Sequence, residues 1–526
     1  MNRILFLLLA SFCSCLAVAQ APKTKLIERA INVNISAERG PLNTMFNECV
    51  GAGRANEGLR ADWQQQLAYV KKECGFRYIR FHGLFTDDMG IYREDRNGKP
   101  EYNYMYVDAL FDYLLSIDIK PFVELGFMPN ALASGKETIF WWRGNVTPPK
   151  DHDKWGALVK NIVQHWTDRY GVEEVKNWYF EVWNEPNLKP GFWTGTMEDY
   201  FKLYKYSVEA VKSVNPAYRV GGPGTAGAAW ETEMIDFCVK NNLPLDFVST
   251  HAYGVNQGYL DEYGNSGTVL APQEFAVSGD VLQSRKEIAS SPKPNLELHY
   301  TEWSASYTPA DPIHDSYHEA AYVLQKLKQV GDAAQSMSYW VFTDIFEESA
   351  PRFTPFHGGF GMLNTQGINK PVFYAYQFLN RLGNVELENT DKMSWATKDS
   401  KGNIQVLAYD FTHTHPGDTV NNQVYYIRDL PSKEKGNLKI NLTGVPTGNY
   451  SLEIYKVGYR CNDAYTTYYD LGRPNQLTKQ QVEQIKKLNS GNPISGEIVK
   501  VKADGVFSKE LNLRENDVYF LNLVKL

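Results

Sequence analysis

Short apolar runs alternate with longer amphipathic stretches from about Cys49 to Gly383. The runs at 47–51, 78–81, 120–125, 178–182, 219–222, 247–251, 296–301 and 338–343 have the length and content of buried strands. Between them, segments such as 62–72, 106–117, 154–170, 199–214, 230–241 and 318–330 repeat their apolar positions every three or four residues, as helices do. Strands and helices in that alternation predict an α/β fold, a (β/α)8 TIM barrel over residues 40–383. An open doubly wound sheet is the alternative, and eight strands favour the barrel.

The pattern changes after Leu382-Gly383. Period-two alternation at 404–409, 424–427, 438–442, 450–455 and 518–523, punctuated by Gly, Asn, Pro and Asp, predicts an accessory antiparallel β-sandwich over residues 384–526. One helix interrupts it at 478–488, with Thr478 as N-cap. Residues 30–35 also alternate, so residues 20–39 are expected to add a strand to the sandwich and make that domain discontinuous. The chain has no internal repeat and no low-complexity tract.

The first nineteen residues belong to neither domain. Arg3, the apolar run from Ile4 to Ala10 and the small residues Ala17-Val18-Ala19 follow the order of a secretory signal peptide cut before Gln20. Export is therefore expected, to the periplasm or the exterior. Cys13 and Cys15 fit a lipidation signal badly because Phe12 stands where a small residue is needed, so an anchor is not expected. No stretch reaches the roughly 18 to 20 apolar residues of a membrane span. A net charge of −7 argues against nucleic acid or an anionic membrane as partner. Cys49, Cys74, Cys238 and Cys461 are too irregularly spaced for a disulfide framework or a zinc pattern and read as buried thiols. Nothing in the composition indicates an oligomeric state.

In a parallel barrel the reactive groups gather at the carboxyl ends of the strands. Those ends read Arg80-Phe-His82-Gly, Glu124-Leu-Gly-Phe127, Trp183-Asn184-Glu185-Pro186-Asn187, Thr250-His251-Ala-Tyr253, Thr301-Glu302-Trp303, and Tyr339-Trp340 running on to Glu347-Glu348. Acids, histidines and aromatics thus collect at one rim, which packing alone does not explain. Glycosidic hydrolysis needs two carboxyl groups, one to protonate the leaving oxygen and one to attack carbon or direct water. Glu185 and Glu302 are the best pair, each following an apolar strand beside a tryptophan. Asn184 is expected to donate to a sugar hydroxyl, and Tyr253 to the Glu302 carboxylate. Arg80, His82, Phe127, His251, Trp340, Glu347 and Glu348 complete the expected substrate contacts, while Glu181 reads as structural. A single acid after a strand is usually a surface residue; Trp-Asn-Glu-Pro-Asn at a barrel rim has little structural use.

The segments Phe180-Glu-Val-Trp-Asn-Glu-Pro-Asn-Leu188, Arg80-Phe-His-Gly83, Pro121-Phe-Val-Glu-Leu125 and Phe356-His-Gly-Gly-Phe-Gly361 resemble glycoside hydrolase family 39, and the likeness covers nearly the whole chain past residue 20. The Asn-Glu pair alone would indicate only the wider clan of retaining (β/α)8 hydrolases. The resemblance implies double displacement, with Glu185 matching the family's acid/base and Glu302 its nucleophile. It also implies two principal activities, β-xylosidase and α-L-iduronidase. Iduronidases carry a lysine two residues after the strand-six histidine, where this chain has the neutral Tyr253. The paired Glu347-Glu348 is similar to the xylosidase branch and would repel a uronate. An exo-acting β-xylosidase without cofactor or metal is the expectation, ahead of arabinose-directed, galactose-directed or endo-acting members.

Two other classes compete. An inactive carbohydrate-binding protein would explain the abundant aromatics, but both carboxylates are present. A metal-dependent hydrolase would need a ligand cluster such as His-Glu-x-x-His, which the sequence lacks.

Overall fold

The computed structural model describes residues 27–257, 267–413 and 421–526; the expected signal segment with Cys13 and Cys15 lies outside them. Eight parallel strands close into a barrel: β1 (Cys49–Arg54), β2 (Tyr78–His82), β3 (Lys120–Leu125), β4 (Tyr179–Val182), β5 (Arg219–Thr225), β6 (Phe247–Tyr253), β7 (Glu297–Ser304) and β8 (Ser336–Tyr339). Neighbours pair in sequence order, and β8 closes on β1 through Tyr339 and Val50. The six expected helices are present, joined by Ser278–Ala289 and Pro371–Asn380. The last strand stops at Tyr339 rather than 343. Beyond it the chain leaves the regular ladder, although Phe342 N still bonds Gly51 O.

Strand alternation sorts the barrel interior into layers, and this decides where each polar group lies. At the amino end Cys49, Tyr78, Phe122, Tyr179 and Phe247 form an apolar plug. Two residues further along the same strands come Arg80, Glu124 and Glu181, all buried. Two further still come His82 and His251, at the mouth. Strand β7 breaks the rule. Thr250 pairs with Tyr300, but the next residue, His251, pairs with Glu302, so Thr301 is an extra residue in a bulge.

The second domain packs a seven-stranded sheet on a three-stranded one, with Ile31, Leu438, Ile440, Leu452, Ile454 and Leu521 in its core. The N-terminal strand Ile27–Asn34 pairs in parallel with Glu434–Thr443, an exception in otherwise antiparallel sheets. Glu38–Pro41 joins the larger sheet beside Val385–Leu387, so the sandwich takes its strands from both sides of the barrel sequence. Thr478 caps Lys479–Leu488 through a reciprocal pair with Gln481. The expected strand at 424–427 is instead part of a helical turn, Asn422–Tyr425, capped by Asn421 Oδ1 accepting from Val424 N. Four alternating residues are too few to separate strand from turn, and the capping asparagine decides. Cys49, Cys74, Cys238 and Cys461 are free thiols, the first three of them buried. Among the described residues no helix is long and apolar enough to cross a membrane.

Candidate active site

The barrel mouth opens into a cavity of about 570 Å³. Its floor is polar, with His82, Glu185, Tyr253, Glu302 and Glu348, and its upper wall is largely apolar, with Leu188, Phe192, Val255, Tyr307 and Phe360. Trp340 closes one side. It lies over Gly51 of β1, where an added Cβ would come within 2.4 Å of the indole, so only glycine leaves room for the ring.

Glu185 follows β4 in a loop whose backbone is held out of its preferred conformations. Trp183 and Glu185 have φ of 70° and 44°. The left-handed region costs a non-glycine residue about 1–2 kcal/mol. Neighbouring bonds hold it there: Trp183 Nε1 donates to Phe192 O at 2.8 Å, and Glu185 N donates to Gly224 O at 2.8 Å. Asn187 bridges to Ala226 in both directions, tying this loop to the one after β5. The Trp-Asn-Glu-Pro-Asn run is therefore a device for aiming one carboxyl group.

Glu302 stands across the cavity on β7. Its Oε1 accepts from Arg80 at 2.6 Å and its Oε2 from the Tyr253 hydroxyl at 2.7 Å. His82 Nε2 lies 3.5 Å from Oε1. An oxygen of Glu185 and one of Glu302 lie within 4.8 Å of each other, and His251 Nδ1 is 2.8 Å from Glu185 Oε1 and 3.6 Å from Glu302 Oε2. Burial raises both carboxyls. Glu185 is raised well above the carboxylate range, because the charge of Glu302 adds to burial. For Glu302, Arg80, His82 and Tyr253 all oppose the effect of burial. A proton shared by the pair therefore resides on Glu185.

Glu185, His251 and Glu302 are the one grouping among the described residues with the spacing of a metal site. Each already has a polar partner: Glu302 accepts from Arg80 and Tyr253, and His251 Nδ1 faces Glu185 at 2.8 Å.

Of the expected substrate contacts, the structure places His82, Tyr253, Trp340 and Glu348 on the cavity. Arg80 lies beneath the floor, where its guanidinium is within 3.0 Å of Glu124, Glu181 and Glu302 and donates to Asn184 Oδ1. Its position in the strand, two residues before His82, puts it one layer deeper. Asn184 Nδ2 has no partner among the described residues. Phe127 packs behind His82, with ring centroids 5.8 Å apart, so it shapes that histidine without reaching the cavity. His251 is buried behind Glu185. The Glu347 carboxylate turns away from the cavity to Arg54 and Arg60 at 2.9 and 3.2 Å, whereas its neighbour Glu348 faces in. Burial and the charges of Glu302, Glu57, Glu185 and Glu124 raise Glu348 well above the carboxylate range.

Several groups escaped the sequence reading. Glu124 takes the His82 Nδ1 hydrogen bond at 2.6 Å, and as an acid at a strand end it was open to recognition. Glu57 accepts from Glu347 N and Arg54 N and so anchors the loop that presents Glu348; burial and Glu347 push it up to about 8. Leu188, Tyr307 and Phe360 sit on loops, where no periodicity marks them.

The family model for glycosyl hydrolases family 39 matches residues 29–506. A β-xylosidase of Caldicellulosiruptor saccharolyticus is 39% identical over 464 residues, covering 87% of this chain and 91% of the relative. Among solved structures, the GH39 enzyme from Xanthomonas axonopodis pv. citri is similar at 43% identity with a TM-score of 0.92, covering 95% of this chain and 98% of that one. A monomeric β-xylosidase from Caulobacter crescentus CB15 is 42% identical with a TM-score of 0.91, over 95% and 100% of the two chains. The chain belongs to glycosyl hydrolases family 39 and is a retaining glycoside hydrolase.

Proposed function

We propose that this hydrolase is an exported β-xylosidase that acts by double displacement, with Glu302 as nucleophile and Glu185 as acid/base. The short separation of the two carboxyl groups carries this reading. Oxygens within 4.8 Å leave no room for a water between carboxylate and sugar, as an inverting enzyme requires, and fit the roughly 5–5.5 Å of retaining enzymes.

In the first step an oxygen of Glu302 attacks the anomeric carbon while Glu185 gives its proton to the departing oxygen. The glycosidic bond breaks and an ester to Glu302 forms. In the second step Glu185, now a carboxylate, takes a proton from water, whose oxygen attacks the same carbon and releases Glu302. Arg80 and Tyr253 keep Glu302 ionised and oriented, and the unpartnered Asn184 Nδ2 suits a sugar hydroxyl.

Among the described residues lining the cavity none is lysine or arginine, and Arg80 beneath it is already committed to three carboxylates. A uronate would add another negative charge without a counter-ion, so a neutral sugar is favoured. The β-xylosidase relatives support xylose. A panel of nitrophenyl β-xyloside, α-L-arabinoside, β-galactoside, β-glucoside and α-L-iduronide tests the choice; highest kcat/KM on β-xyloside is expected, and preference for the iduronide refutes it. Export rests on Arg3, the Ile4 to Ala10 run and Ala17-Val18-Ala19. It is checked by N-terminal sequencing of the protein from a native host, expected to begin at Gln20.

A further inference from the structure

Beneath the two glutamates a second chain of hydrogen bonds crosses the barrel, and its geometry restricts where the protons lie. Arg80 Nε donates to Glu181 Oε2 at 2.7 Å, both groups being fully buried, so Glu181 is a carboxylate and only accepts. Thr301 Oγ1 lies 2.8 Å from Glu181 Oε1, and its single hydrogen must point there. The hydroxyl then has only lone pairs for His251 Nε2 at 3.1 Å, so that nitrogen carries a proton. The other ring nitrogen, Nδ1, faces Glu185 Oε1 at 2.8 Å. In a neutral imidazole protonated at Nε2, Nδ1 is a bare lone pair, and so short a contact requires a proton on Glu185.

We propose that Thr301 and Glu181 are positioning residues that fix His251 in its Nε2-protonated tautomer, so that its bare Nδ1 accepts a hydrogen bond from Glu185 and holds that carboxyl in its acid form. This rests on the assignment of Glu185 as acid/base. Glu181, whose first reading was structural, thereby acts on the acid through two intermediaries. Thr301 reaches its place only because of the β7 bulge, which turns two consecutive residues, Thr301 and Glu302, toward the interior.

The competing arrangement is an imidazolium facing a carboxylate. Full burial opposes it, as do the charges of Arg80 and His82 on β2. Glu302 Oε2, 3.6 Å from Nδ1, is the group that favours it. Around the pair, Glu302 on β7 and Glu124 on β3 push Glu185 further toward its acid form while Arg80 on β2 opposes them, and Tyr253 on β6 and Glu348 beyond β8 are themselves raised, first by burial and then by the charge of Glu302 among others. Proton balance in the reaction is untouched: Glu185 gives its proton to the leaving oxygen and regains one from water, and His251 keeps its own throughout. Once deprotonated, Glu185 faces a lone pair at 2.8 Å, which strengthens it as the base of the second step.

Thr301→Val keeps the shape of the side chain and removes the acceptor at Nε2. The ring is then free to carry its proton on Nδ1 and donate to the Glu185 carboxylate. The basic limb of the kcat/KM profile should move down by about one pH unit, and Thr301→Ser, which restores the hydroxyl, should return it. A limb that Thr301→Val leaves in place, but Glu185→Gln removes, overturns the relay and leaves the Glu185 assignment standing. A limb that survives Glu185→Gln overturns that assignment itself. If the valine variant does not fold, the unmodified protein still decides. Nitrogen-15 NMR of labelled histidine at neutral pH, with His251 identified by difference from His251→Gln, should show Nε2 protonated and Nδ1 bare. The opposite tautomer or an imidazolium overturns the proposal.

Discussion

Glu302 and Glu185 stand on opposite walls of one cavity at 5% and 6% exposure, yet their surroundings are of opposite kinds. Glu302, on β7, is surrounded by donors from β2 and β6: the Arg80 guanidinium, the Tyr253 hydroxyl and the nearby His82 ring. Glu185, after β4, meets an imidazole nitrogen of His251 from β6, and Leu188 and Phe192 of the loop after β4 line the cavity with it. Burial penalises both carboxylates; Arg80, His82 and Tyr253 compensate Glu302, whereas Glu185 has the charge of Arg80 alone against burial and Glu302. Two identical residue types at the same depth are thereby assigned different protonation states, as acid and nucleophile require. The environment carries the chemical distinction; the residue type does not.

Removing the compensated side should cost most. Glu302→Gly is expected to lower kcat by roughly ten-thousand-fold or more even on aryl glycosides with good leaving groups, because no glycosyl-enzyme can form. Steady-state assay against nitrophenyl xyloside measures it, and a loss below a hundredfold would break the comparison. Glu185→Gln should cost about 10²- to 10⁴-fold on substrates whose leaving oxygen needs a proton. It should also remove the basic limb of the pH profile, since activity is lost as pH rises through the raised pKa of Glu185. A limb that persists would refute the acid assignment.

Arg80→Met leaves Glu124, Glu181 and Glu302 buried without their cation. A destabilisation of about 3–5 kcal/mol at neutral pH is expected in urea unfolding, easing as acid neutralises the carboxylates. An unchanged midpoint would show that the ion network is not what compensates the β7 wall. Tyr253→Phe removes one donor to Glu302 and should cost about tenfold in kcat/KM. Because that donor favours the ionised form, its loss should move the acidic limb upward; a downward shift would contradict the reading of this wall.

Much of this arrangement is legible in the sequence. The strand–helix alternation predicted the barrel, and strand ends followed by Trp-Asn-Glu-Pro-Asn and Glu-Trp marked both glutamates. Depth was harder to read. Arg80 and His82 share a face, so alternation places both inside the barrel but does not say that one lies below the floor. Thr301 depends on a bulge that leaves no trace in composition. Glu347 and Glu348 are identical neighbours, and their separation rests on Arg54, Arg60 and Glu57, residues almost three hundred positions earlier. The misread turn at 424–427 has a similar origin, since a side-chain cap outweighs a pattern only four residues long.

The division of labour between the two walls is tested most directly by azide rescue of two variants on a nitrophenyl glycoside whose leaving group needs no proton. In Glu185→Ala the nucleophile remains, so a burst of nitrophenol should precede slow turnover, and azide should restore turnover while yielding a glycosyl azide of retained configuration. In Glu302→Gly azide should occupy the vacated space and give the inverted product. NMR of the isolated azides reads both outcomes. Retained azide from Glu185→Ala with inverted azide from Glu302→Gly is the predicted result, and the reverse pairing would contradict the account.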